Sequence, residues 1–156
     1  MGFDFLAPLD EETVLFIESL SSQHLGSKVV LHTDKDFPDL DQVKIAIVGA
    51  MENRGQNKTE PVDLSYIREE LYQLFPGNWH VSIADLGNIL PGNSAEDSYF
   101  ALQQVIAELC ELWSLPAAWG VPSGHDPRQN NPLTFGAPAH LTVTAQAATV
   151  TFNTPL

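Results

Sequence analysis

Charged residues are almost absent from the last 44 residues of this 156-residue chain, where only Asp126 and Arg128 belong to the Asp, Glu, Lys and Arg set. Residues 1–112 hold the other 25 of the 27 charged residues. The composition therefore changes near Trp113. No Asp or Glu follows Asp126, so the end of the chain has no carboxylate side chain with which to bind a hard metal ion.

Basic residues are also few: seven Lys and Arg stand against 20 Asp and Glu, for a net charge of −13. Binding to nucleic acid and to anionic membrane surfaces depends on clustered Lys and Arg side chains. This composition argues against both partners. No apolar run approaches the roughly 20 residues that span a bilayer, which argues against a membrane protein as well.

Cys110 is the only cysteine, so an internal disulfide is excluded and a reducing compartment is favoured. Residues 1–10 lack the basic group and apolar stretch that together form a secretory signal. We therefore expect a cytoplasmic protein. The hydrophobic content of 44% is typical of a soluble globular protein with a buried core.

The pattern of apolar residues predicts a parallel α/β sheet. Asp10 precedes acidic residues and an apolar helical pattern, which predicts an N-cap and a first helix. Residues 27–42 show no regular pattern. Strands and helices are then expected to alternate, which favours right-handed parallel connections. The predicted elements are a strand buried on both faces at 44–49, a helix at 63–75, a strand at 80–84, a helix from Ser94 or Ala95 to Leu112, and a strand at 115–119.

Four further predictions concern individual side chains. Helical spacing places Ile67, Leu71 and Leu74 on the buried face of the second helix. On the long helix that ends at Leu112, the same spacing predicts a buried face formed by Phe100, Leu102, Val105, Ile106, Leu109 and Leu112. Arg68 on the same helix is expected to form a structural ion pair or to cap a strand end. Asp85 follows the predicted strand at 80–84, so a turn and capping role is expected for it.

The end of the chain follows a different pattern. Four prolines and three glycines between residues 120 and 140 predict a loop. Alternating residues at 141–144 and 149–152 predict a β-hairpin around Ala145. Because an isolated hairpin is only marginally stable, we expect it to pair with the edge of the sheet.

The segment from Lys44 to Leu112 resembles the opening part of the ureohydrolase family, which comprises arginases, agmatinases and formimidoylglutamases. The residues that carry the resemblance are, in order, IAIVG at 45–49, ENRG at 52–55, IREELY at 67–72 and ADLGNI at 84–89. FPDLD at 37–41 and LFPGNW at 74–79 resemble a bacterial arginase-like branch in particular. About 110 residues are covered, roughly the first third of such a protein.

The resemblance implies a three-layer α/β fold with a mostly parallel sheet. Residues 1–119 would be the N-terminal part of an arginase-like domain, and residues 120–156 a divergent tail rich in Pro, Thr and Ala, irregular or folded as a hairpin. Family members use two manganese ions to activate water for attack on a guanidinium or amidine carbon, so a small guanidino or amidine compound would be the substrate.

The resemblance also suggests site residues. The first metal ligand of the family is a His in a Gly-Gly-x-His segment, for which His125 with the adjacent Asp126 is the nearest match. The other interpretation of His125 is a structural loop residue. The candidates for contact with a substrate are Glu52 and Arg54, which lie in the loop after the strand predicted at 44–49. The family's Asp-x-His-x-Asp and Ser-x-Asp-x-Asp motifs do not occur here, so no catalytic residue is assigned.

Two functional hypotheses follow. The first is a truncated relative of a manganese ureohydrolase that is inactive as this chain. The second is a noncatalytic α/β scaffold or self-association domain. A homo-oligomer of this chain is compatible with that hypothesis.

A frameshift in the gene is one candidate explanation for the change in composition after residue 112. Read one nucleotide later, codons for residues 113–123 permit Gly-Val-Ser-Leu-Leu-Leu-Gly-Gly-Ser-Gln, and the Trp113 and Trp119 codons force two of those glycines. That string resembles the third strand and following turn of the arginase-like branch. A frameshift and a native divergent tail are the two alternatives, and the DNA across the Leu112 codon separates them.

Overall fold

A computed structural model describes residues 2–54, 63–115, 117, 138–144 and 148–152. The chain divides into two compact units, Met1–Leu112 and Trp113–Leu156. The division falls at the residue where the density of charged side chains drops. The described residues are mixed α/β.

The first unit contains three described α-helices, and their ends show why they begin where they do. Asp10 precedes the first helix as predicted, and its carboxylate accepts hydrogen bonds from the backbone N–H and the hydroxyl of Thr13. Ser94 precedes the third helix and exchanges hydrogen bonds with Asp97, a reciprocal cap. The helices are α1 (Glu11–Ser19), α2 (Ser65–Tyr72) and α3 (Ala95–Leu112).

The sheet of the first unit is organised around one buried strand that pairs with the other three. The four strands are β1 (Leu6–Ala7), β2 (Val29–Leu31), β3 (Ile45–Ala50) and β4 (Ile83–Ile89). β2 and β3 run parallel to β4, whereas β1 runs antiparallel to it. β3 pairs along the whole of β4, so β2 and β1 share its other side.

The predicted parallel pair is therefore present, but the sheet is mixed. The prediction of an irregular segment at 27–42 was wrong, because a 3₁₀ helix (Gly26–Lys28) and β2 lie within or beside it. The strand predicted at 80–84 lies later, at Ile83–Ile89, and contains Asp85 in its interior. Asp, Gly and Asn are poor strand formers, which hid the second half of β4 from the sequence pattern.

A bulge in β4 shapes the region beside Asp85. Ile47 pairs with Asp85 and Gly49 with Asn88, so β4 advances three residues while β3 advances two. Gly87 lies in this bulge with φ of 82°, and a Cβ added there would lie 2.0 Å from the carbonyl oxygen of Ala7. The extra residue brings Asp85 and Asn88 to the same face of the sheet.

The core beneath this face is formed by α1, α2 and the strands. β3 is half-buried, not buried on both faces as predicted, and among the described strands of the first unit it pairs only with β4. β4 is the buried strand instead. The fully buried members of the core cluster are Leu9, Ile17, Leu25, Tyr72 and Ile83.

The buried face of α2 differs from the prediction. Ile67 is 61% exposed and Leu74, just beyond the end of the helix, is 57% exposed. Leu71 is partly buried against the core cluster, and the residues that α2 buries are Arg68 and Tyr72. α2 buries these charged and polar side chains because Asp85 on β4 forms hydrogen bonds with both of them.

α3 buries a narrower stripe than predicted. Val105 and Leu109 are buried as expected, together with Ser98 and Ala101. Phe100, placed on the buried face by the sequence pattern, is 53% exposed. The small side chains on this helix allow close packing, and the larger aromatic ones remain near the surface.

The hairpin prediction is confirmed in the second unit. β5 (Ala139–Val143) and β6 (Ala148–Phe152) pair antiparallel and form a two-stranded sheet of their own. Of the strand predicted at 115–119, Leu115 and Ala117 are described and lie in no strand, and the rest falls outside the described residues. Within those residues, no helix combines the length and apolar character needed to cross a bilayer.

Candidate functional site

The carboxyl ends of the parallel strands β3 and β4 lie side by side, where ligands bind in many open α/β sheets. The backbone N–H of Met51, just after β3, donates to the carbonyl of Ile89 at the end of β4 over 3.3 Å. Two polar clusters lie in this region. We call them the Arg54 clamp (Glu52, Arg54, Asn93, Ser94 and Ser98) and the Asp85 network (Arg68, Tyr72, Asp85, Gly87 and Asn88).

In the Arg54 clamp, one guanidinium joins the loop after β3 to the start of α3. Its Nε donates to Glu52 Oε1 at 3.0 Å, and Nη2 also binds Glu52. Nη1 donates to the carbonyl oxygen of Asn93 at 3.0 Å, and Nη2 to that of Ser94 at 2.9 Å. Nη2 lies 3.1 Å from the Ser98 hydroxyl. The donors of this guanidinium are thus directed at protein acceptors.

The electrostatics of the clamp follow from this geometry. Hydrogen bonds from the Arg54 side chain, and then from its backbone N–H, lower the pKa of Glu52 to about 2. The same hydrogen bonds raise the pKa of Arg54, because they stabilise its charged form. Glu52 is therefore ionised near neutral pH and held as an ion-pair partner, an arrangement suited to fixing a loop.

The Asp85 network lies deeper, on the side chains that α2 turns inward. Arg68 binds Asp85 side-on: Nε donates to Oδ2 at 2.7 Å and Nη2 to Oδ1 at 3.1 Å. The Tyr72 hydroxyl donates to Oδ2 as well, and the backbone N–H of Gly87 donates to Oδ1 at 3.0 Å. Each carboxylate oxygen of Asp85 therefore accepts two hydrogen bonds.

Arg68 also reaches past Asp85 into the bulge. Its Nη1 donates to Asn88 Oδ1 at 2.8 Å, and its Nη2 donates to the carbonyl oxygen of Gly87 at 3.0 Å. Asn88 takes this position by lying over Gly49, where an added Cβ would lie 2.1 Å from Asn88 Oδ1. The network thus depends on a glycine in each of the two paired strands.

Burial makes this network a strong electrostatic unit. Asp85 and Tyr72 are 0% exposed and Arg68 is 4% exposed. Burial raises the pKa of the Tyr72 hydroxyl well above its usual value, and the charge of Asp85 raises it further. Burial alone would lower the pKa of Arg68, but its hydrogen bonds to Asp85 outweigh that effect and raise it. Among the described residues, every buried side-chain nitrogen and oxygen has a hydrogen-bond partner.

The structure places the predicted site residues as follows. Glu52 and Arg54 lie together at the carboxyl edge of the sheet, bound to each other. The structural ion pair expected of Arg68 is confirmed, with Asp85 as its partner. The expectation that Asp85 follows a strand was wrong, because it lies inside β4. His125 and Asp126 lie outside the described residues.

A manganese site requires several His and carboxylate donors in one place. Within the described ranges, no group of three or more His, Cys, Asp or Glu side chains is arranged to hold a metal ion. The carboxylates of the two clusters already accept hydrogen bonds from protein donors: Asp85 from four donors and Glu52 from Arg54. The described part of the chain does not by itself fit a binuclear manganese centre.

Comparison with protein-family models, with curated proteins and with solved structures finds no match to this chain.

Sequence reasoning missed three of the side chains that form these clusters: Tyr72, Asn88 and Ser98. A glycine within a strand pattern is a signal of a bulge, and Gly87 could have indicated that Asn88 belongs to the same strand as Asp85. Ser94 and Asp97 form a recognisable capping pair, which places Ser98 in the first turn of α3. No sequence signal links either position to Arg68 or Arg54, because both contacts are long-range.

Proposed function

We propose that residues 1–119 are the N-terminal part of an arginase-like, three-layer α/β domain with a mostly parallel sheet, and that the chain is a relative of the manganese ureohydrolases. The order of the segments quoted above supports this proposal. The parallel pairing of β3 with β4 is consistent with it, as is the position of Glu52 and Arg54 at the strand ends. The full family activity would be hydrolysis of a linear amidine or guanidino C–N bond.

We further propose that this chain does not catalyse that reaction by itself. The observation that carries this proposal is that the carboxylates of both clusters already have protein partners: Asp85 accepts from four donors and Glu52 binds Arg54. A metal ion would have to displace these donors. His125 and Asp126 remain the candidate donors for manganese, and two residues fall short of a binuclear ligand set.

The test is an assay of the purified chain for urea or ammonia release. Arginine, agmatine and formiminoglutamate are supplied in turn with excess Mn²⁺, and manganese is measured after dialysis. We expect no turnover and less than two ions retained per chain. Turnover that disappears in the His125→Ala variant would refute the proposal of inactivity and assign His125 to the site.

The second candidate function is a noncatalytic scaffold or self-association domain, with Cys110 compatible with a reducing compartment such as the cytoplasm. The specific observation in its favour is the half-buried edge strand β3. An apolar edge strand presents unpaired N–H and C=O groups that pair readily with another strand. Oligomeric state in solution, measured by light scattering on a sizing column, tests this candidate separately from catalysis.

A further inference from the structure

The acceptor groups of the Arg54 clamp are complementary to one guanidinium group. The three side-chain nitrogens of Arg54 contact five acceptor atoms, which are both carboxylate oxygens of Glu52, the carbonyl oxygens of Asn93 and Ser94, and the hydroxyl of Ser98. We call these four acceptor residues the guanidinium site. Only Glu52 is close to Arg54 in sequence, because the other three lie 39 to 44 positions later.

Contacts that do not involve Arg54 hold these acceptors in place. Ser94 exchanges hydrogen bonds with Asp97 at the start of α3, and its carbonyl oxygen also accepts from the backbone N–H of Ser98 at 3.3 Å. Ser98 is 5% exposed, and its hydroxyl accepts from the backbone N–H of Gly92 at 2.8 Å. We therefore expect the guanidinium site to keep its shape when the side chain of Arg54 leaves it.

Exposure shows which partner of the ion pair is able to leave. The side chain of Arg54 is 38% exposed, whereas that of Glu52 is 9% exposed. Glu52 is thus the enclosed partner and Arg54 the outer one. A carboxylate that is shielded from water is costly to leave without a partner. A second guanidinium that replaced Arg54 would remove this cost.

Charge and shape together select a guanidinium over other groups. After the hydrogen bonds to Glu52, the charges of Asp97 and Glu96 also raise the pKa of the bound guanidinium, so the surroundings favour a cation. A planar guanidinium binds a carboxylate side-on and still directs donors at the carbonyl oxygens. An ammonium is a compact point charge whose three donors leave one atom, and a neutral urea has the shape without the charge.

We propose that the guanidinium site binds a small alkylguanidinium compound and that the chain blocks this site with its own Arg54. A group tethered by a short flexible link competes at an effective concentration on the order of millimolar, so the free compound binds the wild type weakly. The class of ligand is taken from the group in place. The inference therefore goes beyond the proposed function and does not depend on the ureohydrolase ancestry.

The experiment is an NMR titration of the full chain with ethylguanidinium chloride, for the wild type and for Arg54→Ala. The backbone amides of Ser94 and Ser98 report binding at the site. The apparent affinity of the wild type is reduced by the fraction of molecules in which the site is open. With that fraction taken as about one tenth, we expect Arg54→Ala to bind about tenfold more tightly than the wild type.

Controls separate a specific site from general attraction of cations. Lys28→Ala makes the same change of net charge at an exposed position and should bind like the wild type. The double variant Arg54→Ala/Glu52→Gln lacks the carboxylate and should lose the gain in affinity. Ethylammonium keeps the charge and ethylurea keeps the shape, and each should bind Arg54→Ala more weakly than ethylguanidinium does.

The amides of Tyr72 and Ile83, in the core cluster, report whether Arg54→Ala retains the fold. If their signals change, ethylguanidinium should restore them and ethylammonium should not. Failure of this rescue overturns the inference.

The outcomes are distinct. Tighter binding by Arg54→Ala that requires Glu52 and prefers ethylguanidinium supports the inference. Equal binding by the wild type and Arg54→Ala overturns it. Equal binding of ethylguanidinium and ethylammonium also overturns it, and would indicate general attraction by an acidic surface. Turnover in the urea-release assay bears only on the proposed inactivity, so the two proposals fail separately.

Discussion

The carboxylate of Asp85 is fully buried and paired with Arg68. The variant Asp85→Asn tests how much this ion pair contributes to the stability of the fold. Asparagine has the same shape, but it presents an NH₂ group where one carboxylate oxygen accepted two hydrogen bonds. Arg68 stays charged, because a guanidinium is not deprotonated in proteins. The variant therefore leaves a buried cation without its counter-ion.

The magnitude follows from the burial of the pair. Removing one partner of a buried ion pair costs about 3–5 kcal/mol. Asp85 is 0% exposed and Arg68 4% exposed, so solvent does not screen the pair and the full range applies. Tyr72→Phe removes one hydrogen bond to the same carboxylate without unpairing a charge, and should cost about 1.5–3 kcal/mol. A typical domain has only about 5–15 kcal/mol of stability, so Asp85→Asn should remove a large fraction of the free energy of unfolding of the first unit.

The assay is urea unfolding followed by far-ultraviolet circular dichroism. Asp41→Asn is the control, since it removes the same charge from an exposed carboxylate and should change the free energy of unfolding by no more than about 0.5 kcal/mol. The variant Arg68→Met in the Asp85→Asn background removes the unpaired cation. The double variant should therefore lose about 0.5–3 kcal/mol less than the sum of the two single losses.

Two results would refute this reasoning. One is a loss for Asp85→Asn as small as that for Asp41→Asn, which would mean that the buried charge contributes nothing to stability. The other is strict additivity of Arg68→Met and Asp85→Asn, which would mean that the two side chains do not interact in the folded protein.

Two other predictions concern the same region. Gly49→Ala would place its Cβ 2.1 Å from Asn88 Oδ1 and should lower the free energy of unfolding by about 1–3 kcal/mol; in an Asn88→Ala background the loss should shrink, and an equal loss in both would contradict the contact. Glu52, whose pKa the Arg54 hydrogen bonds lower from 4.5 to about 2, contributes stability above pH 4.5 that disappears as the pH falls toward 2. The difference in urea midpoint between wild type and Glu52→Gln should therefore narrow across that interval, and a constant difference would show that the ion pair is not its source.

Local signals predicted the features of the chain that depend on neighbouring residues. Asp10 and Ser94 begin helices because a side chain two or three positions before an N–H can satisfy it. The alternating residues at 141–144 and 149–152 also predicted a hairpin, because its two strands are close in sequence. The change in composition near Trp113 coincides with the division of the chain into two units.

Features that depend on distant residues were not predictable in this way. Period-two alternation did not show β1 and β2, because strands of two and three residues are too short to display it. Apolar spacing placed Ile67 and Leu74 inside, and the structure exposes both. Hydrophobicity identifies the apolar face of α2, but it does not reveal that Arg68, on a different face, has a buried partner in Asp85.

By itself, then, the sequence determined which segments form the three α-helices, where the charge stops and which side chains begin the first and third helices. Only the tertiary structure decided that α2 turns Arg68 and Tyr72 inward. The reason is physical: a buried guanidinium is tolerated only where a carboxylate and further acceptors are already in place. Asp85 and Asn88 come to one face of β4 through the bulge at Gly87, and that convergence exists only in the folded sheet.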